Sequence, residues 1–381
     1  MRVLIAINTL EFRGGGTMHV RDLAKGLLNA GHTPIIYGAH AAQLKSEFRH
    51  ATVPLVDQLD QIGSQPDIIH GHNHLKTMAA LLCFPNTPAV YTCHSWSLWQ
   101  DAPPRHPRIT SYIAVDHTCY DRVVYQEGIP EELVKVIFNA VDLERFQPRS
   151  PLPEHPRKAL VFSNNASEQT FLRPVREACS AAGLTLEVIG SSAGRAVNEP
   201  ENLIGEFDLV FAKGRCALEA LATGCSVILC DALGAGPLVT TGELAQLRAY
   251  NLGRRTLKHP ITSAFLLEQI ARYDAHDAAE VSKTIRAGAS RDQFIGATLK
   301  IYQDAVSRHR SEIHNGVSAS EEGRAAARYL ENLEAEMARH AVTSQRISAG
   351  LLKLPVLGSA YSKLSRAIGN RKYSSRPRST N

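Results

Sequence analysis

The sequence has no apolar run that reaches the ~18 residues a membrane-spanning helix needs. It begins directly with the strand-like segment MRVLIAIN, without the basic start and apolar stretch of a signal peptide. Its seven cysteines are odd in number and include no C-x-x-C pair, which argues against a disulfide framework. We therefore expect a cytoplasmic protein with reduced, buried thiols.

Acidic residues are missing from the end of the chain, because none follows Glu336. Nine of the 42 lysines and arginines lie beyond that residue, which leaves 33 basic against 37 acidic residues before it. Leucines alternate with these cations, as in segments that bind anionic lipid headgroups, although Pro355 and Gly358 interrupt any single helix. A peripheral contact with the inner face of a membrane and a solvated, partly flexible tail both stay open. We expect no nucleic acid, because the rest of the sequence shows no basic face.

The 381 residues suggest two domains and an additional segment, and 44% hydrophobic residues suffice for sizeable cores. Apolar strands alternate with helical patterns in both halves, which predicts doubly wound parallel sheets. Residues 139–158 are rich in proline and charge, as is typical of a linker. We expect an α/β protein of two Rossmann-like domains that face a cleft, residues 1–145 and 146–310, followed by a helical, basic tail over residues 311–381.

The segment Asp208–Asp231 has the pattern of a buried strand, a glycine turn, a short helix and a second buried strand: DLVFAKGRCALEALATGCSVILCD. Parallel sheets bind ligands beyond the carboxyl ends of their strands, where Gly214 permits close approach and the new helix offers its amides to phosphate. Glu219 follows five residues later. The pattern predicts a nucleotide site; an ordinary βαβ unit with a solvated glutamate is the alternative.

A triple glycine lies in a predicted loop, Asn8–Thr17, between a strand at Val3–Ile7 and an amphipathic helix over Met18–Asn29. This segment and three others resemble GT-B glycosyltransferases, especially the retaining family-4 type, over roughly residues 1–310. The order and spacing of the segments carry the resemblance: RGGGTMHV at 13–20, DIIHGH at 67–72, VIFNAVDLERF at 136–146 and the Glu219 helix. Residues 293–305, with Tyr302, resemble the closing helix that crosses back toward the first domain.

The resemblance implies a reaction in which a nucleotide diphosphate leaves an anomeric carbon, so that its charge must be stabilised. His94 would be the catalytic residue that orients a sugar by hydrogen bonding, and His19 and His72 would orient acceptor or sugar. Donor and nucleotide binding would fall to Gly14, Gly15, Gly16, Lys213, Gly214, Arg215 and Glu219. The alternation HGHNH at 70–74 invites a metal interpretation, but carboxylate partners and ligand spacing are not evident, so we expect no metal and no cofactor.

Three departures from the family pattern stand out. The family carries another glutamate, which contacts the transferred sugar, eight residues before the position of Glu219, and here that position is Phe211. Residues 164–170 lack the family's arginine and lysine, so Lys213 and Arg215 are the expected substitutes, with Arg173 further along. Only 17 residues separate Gly190 from Asp208, which predicts an abbreviated second domain.

The sequence thus predicts a glycosyltransferase that moves a sugar from a nucleotide-sugar donor to a glycan, lipid-linked or small-molecule acceptor, with retention of configuration. Two other classes stay open. Nucleotide-sugar epimerases share the two-domain cleft, although no set of acidic catalytic groups is identifiable for them. A catalytically silent nucleotide-sugar-binding scaffold would account for Phe211 and the missing cations.

Overall fold

The computed structural model describes residues 1–10, 14–39, 42–315 and 319–352. The chain divides into two compact units, Met1–Val317 and Ser318–Asn381. The first unit contains two β-sheets with their helices. In the second, the structure describes one long helix. The predicted domain boundaries after residues 145 and 310 stay predictions.

The first sheet has seven strands, all paired in parallel, in the order β3-β2-β1-β4-β5-β6-β7. Its strands are β1 Arg2–Thr9, β2 Thr33–Ala39, β3 Leu55–Val56, β4 Ile68–Gly71, β5 Ala89–Cys93, β6 Ile109–Ala114 and β7 Val134–Val136. The strand order reverses between β1 and β4, which is the switch point where doubly wound sheets open a crevice for ligands.

Helices cover the first sheet because its strands are apolar on both faces. Val3, Leu4, Ile5 and Ala6 are each fully buried, although consecutive side chains point to opposite faces. The helices of this half are α1 Gly15–Asn29, α2 Ala42–His50, α3 His74–Cys83 and α4 His117–Asp121. Helix α1 begins at Gly15, so the prediction of a loop through Thr17 is wrong for its last three residues.

The second sheet has five strands in the order β12-β11-β10-β8-β9. They are β8 Lys158–Phe162, β9 Thr185–Ile189, β10 Leu209–Ala212, β11 Ser226–Asp231 and β12 Gly234–Leu238. Four are parallel, and β12 returns antiparallel to β11 at one edge, which the sequence analysis did not predict. The helices of this half are α5 Leu172–Ala181, α6 Glu201–Ile204, α7 Gly214–Thr223, α8 Thr241–Ala249, α9 Ser263–Ala271 and α10 Ala275–Gly288.

The second half is short between β9 and β10, where the structure describes the four-residue α6 and no strand. Helix α11, Arg291–Asn315, follows the second half in sequence but packs on the first. Its Tyr302 is fully buried beside β4, as the predicted closing helix requires. At Gly26 of α1 the approach is so close that an added Cβ would lie 2.4 Å from Cγ1 of Ile295.

Helix α12, Ala319–Leu352, belongs to the second compact unit. Within the described parts of the chain, no helix is both long enough and apolar enough to cross a bilayer. The end of helix α11 and helix α12 lie in the predicted tail and agree with its helical part, and Arg339 of α12 pairs with Glu336. The side chains of the other eight tail cations, from Arg346 onward, lie outside the described residues.

Candidate functional site

The candidate site lies where the carboxyl ends of both sheets approach helix α1. His72 directly follows β4 and His94 directly follows β5, so both lie at the carboxyl ends of central strands of the first sheet. His19 and Asp22 lie one turn apart on α1, so both side chains point to the same side of that helix. Arg215, in the first turn of α7, bonds Asp22. The two predicted half-sites therefore belong to one continuous site within the first compact unit.

Four histidines lie together near the carboxyl ends of the central strands of the first sheet. We call this group the histidine cluster: His19, His70, His72 and His94. Nδ1 of His72 lies 2.7 Å from Nε2 of His94, and their rings stack with centroids 5.0 Å apart. The ring of His70 also stacks on that of His72, with centroids 4.3 Å apart. His19 meets His94 edge to face at 4.7 Å. The structure thus brings together the three predicted histidines and adds His70.

His70 holds the histidine cluster in position, because both of its ring nitrogens take part in hydrogen bonds to buried hydroxyl groups. Nδ1 lies 2.6 Å from the Tyr302 hydroxyl of α11, and Nε2 lies 2.7 Å from the Thr92 hydroxyl of β5. Burial is the main cause that lowers the pKa of His70, to about 3, and His94 adds to it. The closing helix therefore supports the site through a neutral imidazole.

Burial also lowers the pKa of His19 and His72 well below the ordinary histidine value, and neighbouring histidines lower each further. The pKa of His94 is lowered by burial and partly restored by the charge of Asp101. The cluster is consequently neutral near pH 7. A neutral imidazole can both donate and accept a hydrogen bond, which suits it to hold sugar hydroxyls.

A metal is the other ligand that such a cluster could hold. One nitrogen of each of His19, His72 and His94 lies within 4.8 Å of the others, and Nε2 of His19 and of His72 is buried without a hydrogen-bond partner. The 2.7 Å between Nδ1 of His72 and Nε2 of His94 is nevertheless a hydrogen-bond distance. It is shorter than the roughly 3.4 Å that separates two nitrogen ligands of a tetrahedral zinc ion. The arrangement described is a hydrogen-bonded pair, and the absence of a metal stays a prediction.

The three glycines Gly14, Gly15 and Gly16 lead into helix α1, and Gly16 lies next to His94 of this cluster. Among the described residues, an added Cβ at Gly14 or Gly15 would meet no atom within 4 Å, and at Gly16 it would lie 3.9 Å from Cγ of His94. Gly14 is the N-cap residue of α1 and makes no side-chain cap hydrogen bond. A close approach of phosphate or acceptor to these glycines, which have no side chains, stays a prediction.

Helix α7 begins immediately after β10, with Lys213 as its N-cap residue and Gly214 in a left-handed conformation at φ +57°. The Gly214 amide donates to the Leu252 carbonyl at 2.7 Å. Nζ of Lys213 lies 3.4 Å from Oδ1 of Asp231, the buried last residue of β11. Lys213 is partly exposed at the carboxyl edge of the second sheet, where the prediction placed a phosphate-binding cation.

Arg215 is held between two carboxylates. Its Nε donates to Oε1 of Glu219 at 2.7 Å, and its Nη2 donates to Oδ2 of Asp22. Arg21 donates to the other oxygen of Asp22, at 2.9 and 3.0 Å. Burial would raise the pKa of Asp22, but the charges of Arg215 and Arg21 outweigh it and lower that pKa to about 2. Arg215 is therefore engaged by protein carboxylates in this structure.

Glu219 is buried in the middle of α7, with 6% of its surface exposed. Burial raises the pKa of its carboxyl, and the adjacent guanidinium of Arg215 opposes that rise. The interpretation of Glu219 as a solvated helix residue is therefore wrong. A role in binding ribose stays a prediction.

Sequence reasoning missed several residues of the site besides Asp22. Asp231 accepts hydrogen bonds from the Ser163 hydroxyl at 3.0 Å and from Nδ2 of Asn165 at 3.2 Å. The segment after β8, where the resemblance would place an arginine and a lysine, thus uses the polar side chains of Ser163 and Asn165 to hold the carboxylate of Asp231. The available signal was position, because Ser163 and Asp231 stand at the carboxyl ends of two predicted strands of the same parallel sheet, one on each side of β10.

Two residues considered from sequence do not join the site. Phe211 lies inside β10 and is fully buried in the core of the second half, so its side chain does not reach the site. Arg173 is 80% exposed on α5 and pairs with Glu177 at 3.0 Å.

Comparisons with known proteins agree with this architecture. Residues 13–145 match the family model described as Glycosyltransferase Family 4. A glycosyltransferase from Rickettsia africae ESF-5 is 15% identical, with a TM-score of 0.56 over 80% of this chain and 98% of that chain. Anabaena Alr3699/HepE, solved in complex with UDP and glucose, is 15% identical, with a TM-score of 0.60 over 80% of this chain and 99% of that one. No curated protein is significantly similar in sequence.

The family match and the shared fold confirm two predictions: a GT-B fold with two Rossmann-like domains and a helical C-terminal segment, and a glycosyltransferase that resembles family 4. Identities of 15% carry the fold and no individual residue role. The assignment of single residues therefore rests on the geometry given above.

Proposed function

We propose that this protein transfers a sugar, with retention of configuration, from a nucleotide-sugar donor to a glycan, lipid-linked or small-molecule acceptor. One observation carries the proposal. The buried Glu219 and the start of α7 join, through Arg215 and Asp22, the helix α1 that bears His19 of the histidine cluster. A donor-binding carboxylate and a group of sugar-orienting imidazoles thus meet in one site.

The donor half of the proposed site uses the second sheet. Glu219 accepts hydrogen bonds from the ribose hydroxyls, and the first turns of α1 and α7 present amides to the diphosphate. Lys213 supplies positive charge as the phosphate departs. The structural relative from Anabaena is described with UDP and glucose, which makes UDP the first nucleotide to test.

The acceptor half uses the histidine cluster. His94 hydrogen-bonds a sugar hydroxyl, and His72 fixes the His94 ring through the 2.7 Å contact between their nitrogens. Because burial keeps these imidazoles neutral, His94 can accept a proton or a hydrogen bond from a hydroxyl through one ring nitrogen, or donate a hydrogen bond through its N–H. The retaining outcome and a cytoplasmic location at the inner face of a membrane are proposed on the resemblance and on the basic tail.

A silent nucleotide-sugar-binding scaffold is the second candidate. It is favoured by Arg215 and Lys213, which already face Asp22, Glu219 and Asp231 and so have protein partners in place of a leaving group. We favour the enzyme, because residues 13–145 match the family model described as Glycosyltransferase Family 4.

The deciding experiment is incubation of the full chain with radiolabelled nucleotide sugars of several bases and sugars. Transfer to an acceptor or slow hydrolysis of the donor would support the transferase. Interconversion of the donor without an acceptor would instead indicate an epimerase, and binding without turnover a scaffold. The anomeric configuration of the product, read by NMR, tests retention.

A further inference from the structure

The first turn of α7 is held from the first half of the protein by two separate contacts. Arg215 donates to Asp22 of α1. The Gly214 amide donates to the carbonyl of Leu252, and the neighbouring Asn251 donates through Nδ2 to the Val115 carbonyl at the end of β6. Asn251 and Leu252 both have left-handed backbones, at φ +50° and +54°, which only a well-supported loop retains.

Asp22, Arg215 and Glu219 are connected by hydrogen bonds in which Arg215 is the donor to both carboxylates. Nε of Arg215 meets one oxygen of Glu219, so that the second carboxylate oxygen and further lone pairs are left for another ligand. Nη2 of the same guanidinium meets Asp22, which is itself fixed by Arg21. Because a guanidinium is planar and rigid, the position of Asp22 determines the orientation in which Arg215 presents Nε to Glu219.

We propose that Asp22 is a positioning residue for the donor site, which acts through Arg215 to hold the Glu219 carboxylate in place for the ribose. This inference rests on the proposed function, because it requires Glu219 to bind a nucleoside. It assigns Arg215 to the support of Glu219, whereas the sequence suggested a phosphate contact. It also makes the ribose site complete only when both halves of the protein meet.

The two roles of Arg215 predict different nucleotide preferences. A residue that positions the ribose-binding carboxylate affects a nucleoside and its diphosphate by the same factor. A residue that contacts phosphate affects the diphosphate more strongly than the nucleoside. The ratio of the two affinities therefore separates the roles, and a loss of general stability changes neither ratio nor affinity once the protein is folded.

The test is titration calorimetry of the full chain with uridine and UDP, and with the guanosine and adenosine pairs if the uridine pair fails. Asp22→Asn should weaken both members of the pair about tenfold and leave their ratio unchanged. Asp22→Glu should recover part of the loss, because it retains the carboxylate. The effects of Asp22→Asn and Glu219→Gln should not add, since both act on one carboxylate.

A matched control exists at a second ion pair between the halves. Nη1 of Arg255 bonds Oδ2 of Asp121 at 2.5 Å, away from α7 in sequence and without contact to Glu219. Asp121→Asn removes a comparable contact and should leave nucleotide affinity unchanged. If Asp22→Asn does not fold, Arg215→Lys replaces it, because lysine keeps the charge and loses the fork that meets two carboxylates.

Unchanged affinity in Asp22→Asn, or in Arg215→Lys, would overturn the inference and leave Asp22 as a structural contact. A larger loss for UDP than for uridine would overturn it in favour of a phosphate role for Arg215. Wild-type protein that binds none of the three nucleotide pairs would instead overturn the proposed function itself, and the inference with it. The two failures are thus distinguishable.

Discussion

Nδ1 of His72 lies 2.7 Å from Nε2 of His94, so that one imidazole donates the shared hydrogen and the other accepts it. His70 stacks behind His72, and Tyr302 bonds His70 from the closing helix. A side chain at the cleft is therefore connected to α11 through two further imidazoles. This relationship explains why a helix that follows the second half in sequence belongs to the site in the first.

His94→Ala should lower the rate of sugar transfer by about 100-fold, because it removes the imidazole proposed to exchange a proton or hydrogen bond with a sugar hydroxyl. The affinity for nucleotide should change little, since Glu219 and α7 are untouched. His276→Ala, at an exposed position on α10, is the matched control. Steady-state kinetics and calorimetry together check this prediction, and unchanged turnover in His94→Ala would remove His94 from the mechanism.

The thermal stability of the protein should fall as the pH drops below about 6.5. The pKa of His70 is about 3 in the folded protein, against roughly 6.5 in the unfolded chain, so the unfolded state binds more protons between these values. Folding then loses up to ~1.4 kcal/mol per pH unit, and above pH 6.5 the residue contributes nothing. His70→Gln cannot titrate, so its Tm should fall less than that of wild type between pH 7.5 and 5. Equal pH dependence in both proteins would contradict the assignment.

Close packing between α1 and the closing helix gives a third prediction. Alanine normally stabilises a helix interior by ~1 kcal/mol over glycine, but a Cβ at residue 26 would lie within 2.5 Å of two atoms of Ile295. Gly26→Ala should therefore lower the Tm. Adding Ile295→Ala should recover part of that loss, because the new methyl group then enters the space vacated by the isoleucine. A Gly26→Ala protein with a raised Tm would show that α11 does not pack there.

Local patterns were sufficient to predict most of the strands. The apolar run Val3–Ile7 became β1, and the segment Asp208–Asp231 became β10, α7 and β11 as expected. Strands buried on both faces carry their signal in consecutive residues, so no distant information is needed. The start of α1 was placed too late because glycine disfavours helix, whereas its position after β1 at the switch point imposes helix there.

The remainder depends on contacts that no local pattern encodes. Asp22 and Arg215 are 193 residues apart, and neither neighbourhood indicates a charged partner. Strand β12 has the sequence GAGPL, which has low strand propensity, and it pairs as an edge strand, where proline is tolerated. Phe211 stands at the position of the family's first glutamate, and its full burial inside β10 shows that it serves the core of the second half.

Of the two cations predicted to meet the phosphates, Lys213 is the more exposed, at 27% against 10% for Arg215, and its Nζ lies 3.4 Å from Oδ1 of Asp231. Lys213→Ala should weaken binding of UDP by ~1.5–3 kcal/mol, the range for charge-assisted hydrogen bonds, and leave uridine nearly unaffected. Lys283→Ala removes an equally charged residue whose side chain is 77% exposed on α10, and it should change neither affinity. Calorimetry decides the matter, and an equal loss for uridine and UDP would sink the phosphate assignment of Lys213.

The basic tail should bring the protein to anionic membranes. Residues 353–381 contain seven of the nine cations that follow Glu336, and each contributes up to ~1 kcal/mol near an anionic surface. Their removal leaves α12, Ala319–Leu352, at its full length. The full chain should sediment with phosphatidylserine vesicles at low salt and the truncated chain should not, while both transfer sugar equally well to a water-soluble acceptor. A variant with the seven cations changed to glutamine separates charge from chain length. Full-length protein that stays in the supernatant would refute the membrane interpretation and favour a solvated tail.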